Sequence, residues 1–307
     1  MILKNNRAFQ FIGKAITIIG CSLLVSCSYV NDMKWPFWHK KTLSCRQKYE
    51  LSGEDIYADA QLAATAYESD RNIQAFCKKL GYSNLAIGMV SNLQLKYFTA
   101  TANDAQYIVI RGTSNFANVK SDILATPVFD ALSNIWLHKG FRDAALAIFQ
   151  NLEQAYPRIH PAKKTIIIGH SLGGAIANIL GIYLYQNNFY IDRIMTFGQP
   201  KITDKKGLAA YPNLPLFRVV GDGDMIACVP PKTDVFTYVH GGLKIFVDDK
   251  NVRYTHFGDP SNGVEDNPVS IHMDLDRVSR SAYHKISYYL KRLKTHQERL
   301  RIQVKTP

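Results

Sequence analysis

Cysteine is scarce in this sequence, five in 307 residues. That excludes a small scaffold held together by several disulfides. No Cys and His spacing suits zinc, so neither a metal nor any other cofactor is expected. Internal repeats and low-complexity tracts are missing, which excludes solenoids and biased polar arrays. Beyond the N-terminus no apolar run approaches the length of a membrane span. Acidic residues are in deficit, 25 against 37 Lys and Arg, for a formal net charge of +12. No nucleic-acid-binding motif accompanies that charge, and no nucleic acid partner is expected. With 47% hydrophobic and 20% charged residues, the composition is that of one large globular domain, and a monomer is expected.

The N-terminus differs from the rest. Lys4, Arg7 and Lys14 precede or open an apolar segment from Ala15 to Val25, the pattern of a secretory signal too short for a stable membrane helix. Leu24-Val25-Ser26-Cys27 resembles the bacterial lipobox, in which the cysteine is lipidated and becomes the mature N-terminus. The alternative is a plain signal peptide with an incidental cysteine. By the same resemblance, Ser28 suits outer-membrane sorting. The expected organisation is a leader over 1–26, a basic and aromatic tether over 27–50, a domain over 51–295 and a basic tail over 296–307. The expected location is the bacterial cell envelope, at the outer membrane or facing the periplasm. The basic stretches 34–48 and 291–305 are either a solvated surface or a patch for an anionic membrane. Cys45, Cys77 and Cys228 remain in the mature chain. Cys45 and Cys77 flank the first expected helix and are the expected pair if a disulfide forms.

The most specific segment is Thr165-Ile166-Ile167-Ile168-Gly169-His170-Ser171-Leu172-Gly173-Gly174-Ala175. A β-branched run, G-x-S-x-G and an apolar stretch from Ala175 to Tyr185 follow in order. A strand, a sharp turn that exposes a serine hydroxyl, and a buried helix are what a nucleophile elbow requires. An ordinary serine at a strand–helix turn is the plainer reading.

Around it, the periodicity predicts a helix from Glu54 to Tyr67 and paired strands over 85–100 and 105–110. The turn between those strands falls at Ala102-Asn103-Asp104. A second helix is expected over 141–155, then short strands at 193–197 and 216–220. Residues 235–239 and 243–247 flank His240-Gly241-Gly242, a hairpin signal. A loop follows over 248–268, and the last helix begins near Ser281. Strands alternating with helices imply a mostly parallel sheet covered on both faces.

Several segments together resemble the fungal-type (class 3) lipase family. Val109-Ile110-Arg111-Gly112-Thr113 resembles its strand ending in Arg-Gly-Ser/Thr, and Asn118 to Leu124 its lid region. His138-Lys139-Gly140-Phe141, the elbow, and Thr196-Phe197-Gly198-Gln199-Pro200 follow in the family's order. So do Arg218 to Pro231, around the family's acid, and Tyr238 to Gly242. The resemblance covers about residues 54–290. It implies an α/β-hydrolase fold, with a mostly parallel central sheet and helices on both faces, and hydrolysis of lipid esters.

A serine hydroxyl becomes nucleophilic when a histidine takes its proton, and a carboxylate fixes that histidine's tautomer. The resemblance assigns Ser171 as nucleophile and Asp224 as acid. Asp222, between two glycines, reads as a turn residue. His256, His272 and His284 all follow Asp224. His284 is preferred, because a helix start with aromatic and apolar residues follows it; His272 is the alternative. His170 and His240 read as structural. The amides of Leu172 and Thr113 are the expected oxyanion donors; an ordinary strand end is the alternative reading of Thr113. The segment 114–127 is expected as a short lid, or else as a surface helix. The two departures from the family pattern are Asp224-Met225-Ile226-Ala227 in place of Asp-Pro-Val-Pro, and the unplaced residues 248–281. An acyltransferase using the same triad, and a surface binding protein without catalysis, are the competing functions.

Overall fold

The computed structural model describes residues 48–112, 126–154, 159–255, 282–298 and 300–305. Its centre is an eight-stranded sheet, built from β2 (Ser83–Val90), β3 (Leu95–Ala102), β4 (Ala105–Ile110), β7 (Lys164–His170), β8 (Ile191–Phe197), β9 (Leu216–Gly221), β10 (Leu243–Val247) and β11 (Val252–Tyr254). The strand order is β11-β10-β9-β8-β7-β4-β3-β2. The five strands from β4 to β10 in that order pair in parallel, and antiparallel strands close both edges. This is the mostly parallel sheet that the alternation of elements implied.

Helices cover both faces. α1 (Gly53–Thr65) begins at a capping box in which Ser52 and Asp55 exchange hydrogen bonds, satisfying amides that have no intrahelical partner. Its Ile56, Ala60 and Ala63 pack with Ile166 and Ile168 of β7. α2 (Asp70–Lys79) follows. α6 (Ile286–His296) lies on the α1 face, where Tyr288, Tyr289 and Leu293 join the same core. α3 (Lys139–Gln154) and α4 (Leu172–Gln186) pack on each other. Gly181 of α4 sits against Ile167 and Ile194, residues that point to the opposite face from Ile166 and Ile168. Every residue from Leu172 to Leu184 is buried, as expected of a helix apolar all round. A short α5 (Lys205–Ala210) and a hairpin of β5 (Pro127–Asp130) and β6 (Ile135–His138) complete this side.

Four expectations need correction. The run 85–100 is two strands, not one. Ser91–Leu93 forms a single 3₁₀ turn, and Gln94 takes a left-handed conformation (φ 49°) that reverses the chain. The next turn falls where expected: Asn103 and Asp104 both have positive φ (49° and 61°), the requirement of a tight two-residue hairpin loop, which these side chains tolerate. No hairpin forms at His240-Gly241-Gly242. β10 pairs in parallel with β9, and Val239 bonds instead to Thr203, leaving Val235 exposed. The last helix begins at Ile286, after a 3₁₀ turn at Ala282–His284.

The chain end is folded rather than a tail. β12 (Arg301–Lys305) pairs antiparallel with β1 (Lys48–Ser52). Leu300 and Ile302 enter the core beside Leu51, while Arg301 and Gln303 face solvent. This period-2 alternation carries the fold past residue 295. Cys77 is buried; Cys45, its expected partner, lies outside the described residues.

Candidate active site

The carboxyl end of the parallel strands gathers the site. β7 ends at His170, and Ser171 turns the chain into α4. Ser171 has φ 60° and ψ −132°, a region sparsely populated by residues with a side chain, and such strain clusters at functional sites. The turn closes because its flanking residues are glycines. A Cβ on Gly169 would collide with the carbonyl of Gly173, and one on Gly173 with that of Ile110. Ser171 stands at the helix N-cap, yet its hydroxyl makes no capping bond. It faces a histidine instead.

His284 Nε2 is 2.8 Å from Ser171 Oγ. Its Nδ1 lies 2.9 Å and 3.0 Å from the two carboxylate oxygens of Asp224. A carboxylate only accepts, so Nδ1 carries the hydrogen and Nε2 is left to accept the serine proton. All three residues are buried. Asp224 lies just past β9, where its own Oδ1 accepts from the Ile226 amide at 2.9 Å. Burial alone would raise its pKa. The charge and hydrogen bond of His284, with the bonds from Tyr289 and Ile226, reverse that and hold it below the usual carboxylate range.

Tyr289 of α6 was not singled out in the sequence. Its hydroxyl donates to Asp224 Oδ2 and accepts from the Gly221 amide at 3.2 Å. A tyrosine in an amphipathic helix reads as core, and only the fold shows its polar partner.

His170 Nε2 is 2.7 Å from the His284 carbonyl oxygen, and its Nδ1 is 2.7 Å from Tyr67 Oη. Burial, and then the neighbouring His284, lower its pKa to about 3, so the ring is neutral near pH 7. His240 bonds the Ala227 carbonyl at 2.6 Å, and burial with the Arg218 charge holds its pKa well below the ordinary value. Asp222 is exposed and meets the site only through its backbone, whose carbonyl accepts from Tyr288 Oη.

Leu172 is the first residue of α4, so its amide has no intrahelical acceptor and lies at the positive end of the helix dipole. Thr113, His256, His272 and the expected lid up to residue 125 lie outside the described residues. Among the described residues no group of three His, Cys, Asp or Glu could hold a metal ion.

The family model for class 3 lipases matches residues 107–234. A lipase of Rhizomucor miehei is 30% identical over 156 residues, covering 47% of this chain and 42% of that protein. The triacylglycerol lipase OBL1 of Ricinus communis is 31% identical over 153 residues, 45% of this chain and 28% of its own length. The chain thus spans less than half the length of the curated relatives it matches. Among solved structures, the lipase of Rhizopus microsporus var. chinensis superimposes with a TM-score of 0.57 at 21% identity, over 70% of this chain and 83% of that one. That likeness is one of fold, and it is the α/β-hydrolase fold.

Proposed function

We propose that this chain, whose residues 107–234 match the class 3 lipase family model, is a serine hydrolase of lipid carboxylic esters, acylglycerols or phospholipids. The observation that carries the reading is the buried hydrogen-bonded series Ser171–His284–Asp224 at the strand–helix turn. Ser171 Oγ attacks the ester carbonyl carbon while its proton passes to His284 Nε2. Asp224 stabilises the imidazolium and keeps Nδ1 protonated. The developing oxyanion is met by the Leu172 amide and, on the family resemblance, by that of Thr113. Collapse breaks the ester C–O bond, and the leaving alcohol takes the proton from His284. Water then attacks the acyl-enzyme with His284 as base, releasing the fatty acid and restoring Ser171. An acceptor alcohol in place of water would make the same site an acyltransferase.

The proposal extends to the membrane. Cys27, which closes Leu24-Val25-Ser26-Cys27 after a basic and apolar leader, would be lipidated, and two acyl chains anchor stably where one does not. The segment 114–127 would act as a lid over the pocket. Among the described residues no helix is long and apolar enough to cross a membrane. Hydrolysis of p-nitrophenyl esters and phospholipids by residues 28–307, beside Ser171→Ala, tests the activity. Equal turnover by both proteins would overturn it. Mass spectrometry of the mature N-terminus tests the anchor, and an unmodified Cys27 would refute it.

A further inference from the structure

Three parts of the site converge on one small polar group that the hydrolytic steps do not use. Gly112 precedes the expected oxyanion residue, His170 precedes the nucleophile, and His284 is the expected base. Tyr67, just beyond the end of α1, joins them. The Gly112 amide donates to the Tyr67 oxygen, and Tyr67 Oη and His170 Nδ1 are 2.7 Å apart. His170 Nε2 is 2.7 Å from the main-chain carbonyl of His284.

The chemistry allows this series one direction. A carbonyl only accepts, so His170 carries its hydrogen on Nε2. Nδ1 then offers a lone pair, and the tyrosine hydroxyl must donate to it. That leaves the tyrosine oxygen to accept from Gly112. Each bond fixes the next, and every group is spent.

We propose that Tyr67 and His170 are positioning residues, forming a relay from the Gly112 amide to the His284 carbonyl that sets the catalytic base against the oxyanion side of the pocket. This rests on the hydrolase reading above. The relay matters because His284 sits in a single 3₁₀ turn, Ala282–His284, and not in a strand. Its ring is held by Ser171 and Asp224, and its main chain by His170. The two imidazoles lie 4.9 Å apart at 30°. A neutral His170 can hold that position without opposing the imidazolium that forms at His284 during turnover.

The experiment uses the full chain and a short-chain p-nitrophenyl ester kept below its solubility limit. Rates are taken per serine titrated with a fluorophosphonate, so that misfolded protein does not count. His170→Leu removes the donor and should lower kcat per titrated serine by about 10- to 100-fold with KM within about twofold, the scale of a misplaced catalytic group. His170→Gln, whose amide can donate to the same carbonyl, should recover most of that loss. Tyr67→Phe should fall between them. An unchanged kcat per titrated serine in His170→Leu, a change confined to KM, or equal losses in the Leu and Gln variants would each overturn the relay. If His170→Leu yields no titratable serine, Tyr67→Phe decides, and unaltered kcat there refutes the proposal. Failure of the hydrolase reading would look different, as a Ser171→Ala protein as active as its parent.

Discussion

The hydroxyl of Tyr289 donates to Oδ2 of Asp224, the same oxygen that His284 Nδ1 approaches at 2.9 Å. His284 and Tyr289 therefore grip one carboxylate from either side of the start of α6. Tyr289→Phe removes a hydrogen bond to a buried anion and leaves the Gly221 amide without its acceptor. A loss of roughly 1–3 kcal/mol in stability and about tenfold in kcat is expected. Urea unfolding and turnover per titrated serine measure the two. Wild-type values for both would show that the tyrosine is only core.

The catalytic roles predict a pattern of losses rather than one number. Ser171→Ala and His284→Ala should each lower kcat by about 10⁵–10⁶, and the double variant should be no worse than either, because the residues act as a unit. Asp224→Asn should lose about 10⁴ through the wrong tautomer. His272→Ala should stay fully active. Single-turnover assays on the folded variants check the pattern. Loss in His272→Ala with activity kept in His284→Ala would reassign the base.

What the sequence made legible was local. The elbow could be read because glycine, serine and a β-branched run stand within eleven residues, and each element has its own period. The preference for His284 over His272 rests on the helix that follows it. The β-hairpin at Asn103 and Asp104 was readable from its turn chemistry. What escaped reading was polar contact at long range. Tyr67 meets His170 across 103 residues, and Tyr289 meets Asp224 across 65. Each of those tyrosines sits in an apolar pattern that burial explains equally well. The pairing of β1 with β12 escaped for a related reason: Leu300 and Ile302 alternate with basic and polar neighbours, and the overall charge masks the strand.

Two neutral buried histidines make stability depend on pH. The folded pKa of His170 is about 3, and that of His240 lies well below its ordinary value. In the unfolded chain both return to about 6.5. Between these limits the unfolded state binds more protons, so the stability is fully present above about pH 6.5 and is lost as pH falls toward the folded values. Each histidine contributes a slope of up to about 1.4 kcal/mol per pH unit. Asp224, with its lowered pKa, adds a further loss only below its unfolded value of about 3.9. Urea unfolding from pH 7 to 4.5 should show the slope, and His240→Gln should remove about one proton of it. An identical slope in that variant would mean that His240 is not held neutral.

Asp59, fully buried, receives Arg193 of β8 through two bonds, Nε to Oδ2 at 2.7 Å and a terminal nitrogen to Oδ1 at 3.0 Å. This pair fastens to the sheet the helix that leads to Tyr67. Removing one partner leaves a buried charge alone, which costs about 3–5 kcal/mol, whereas replacing both with apolar groups of similar size is often near neutral. Asp59→Leu should therefore be severely destabilised. Asp59→Leu with Arg193→Met should regain most of the loss, even though it carries one more substitution. Asp192, 25% exposed and 3.1 Å from the same guanidinium, keeps one contact to Arg193 in the single variant, which holds the loss toward the lower end of that range. Denaturant midpoints for the four members of the cycle give the coupling directly. If the two single losses simply add in the double variant, the pair is not coupled, and α1 is held to the sheet by its apolar face alone.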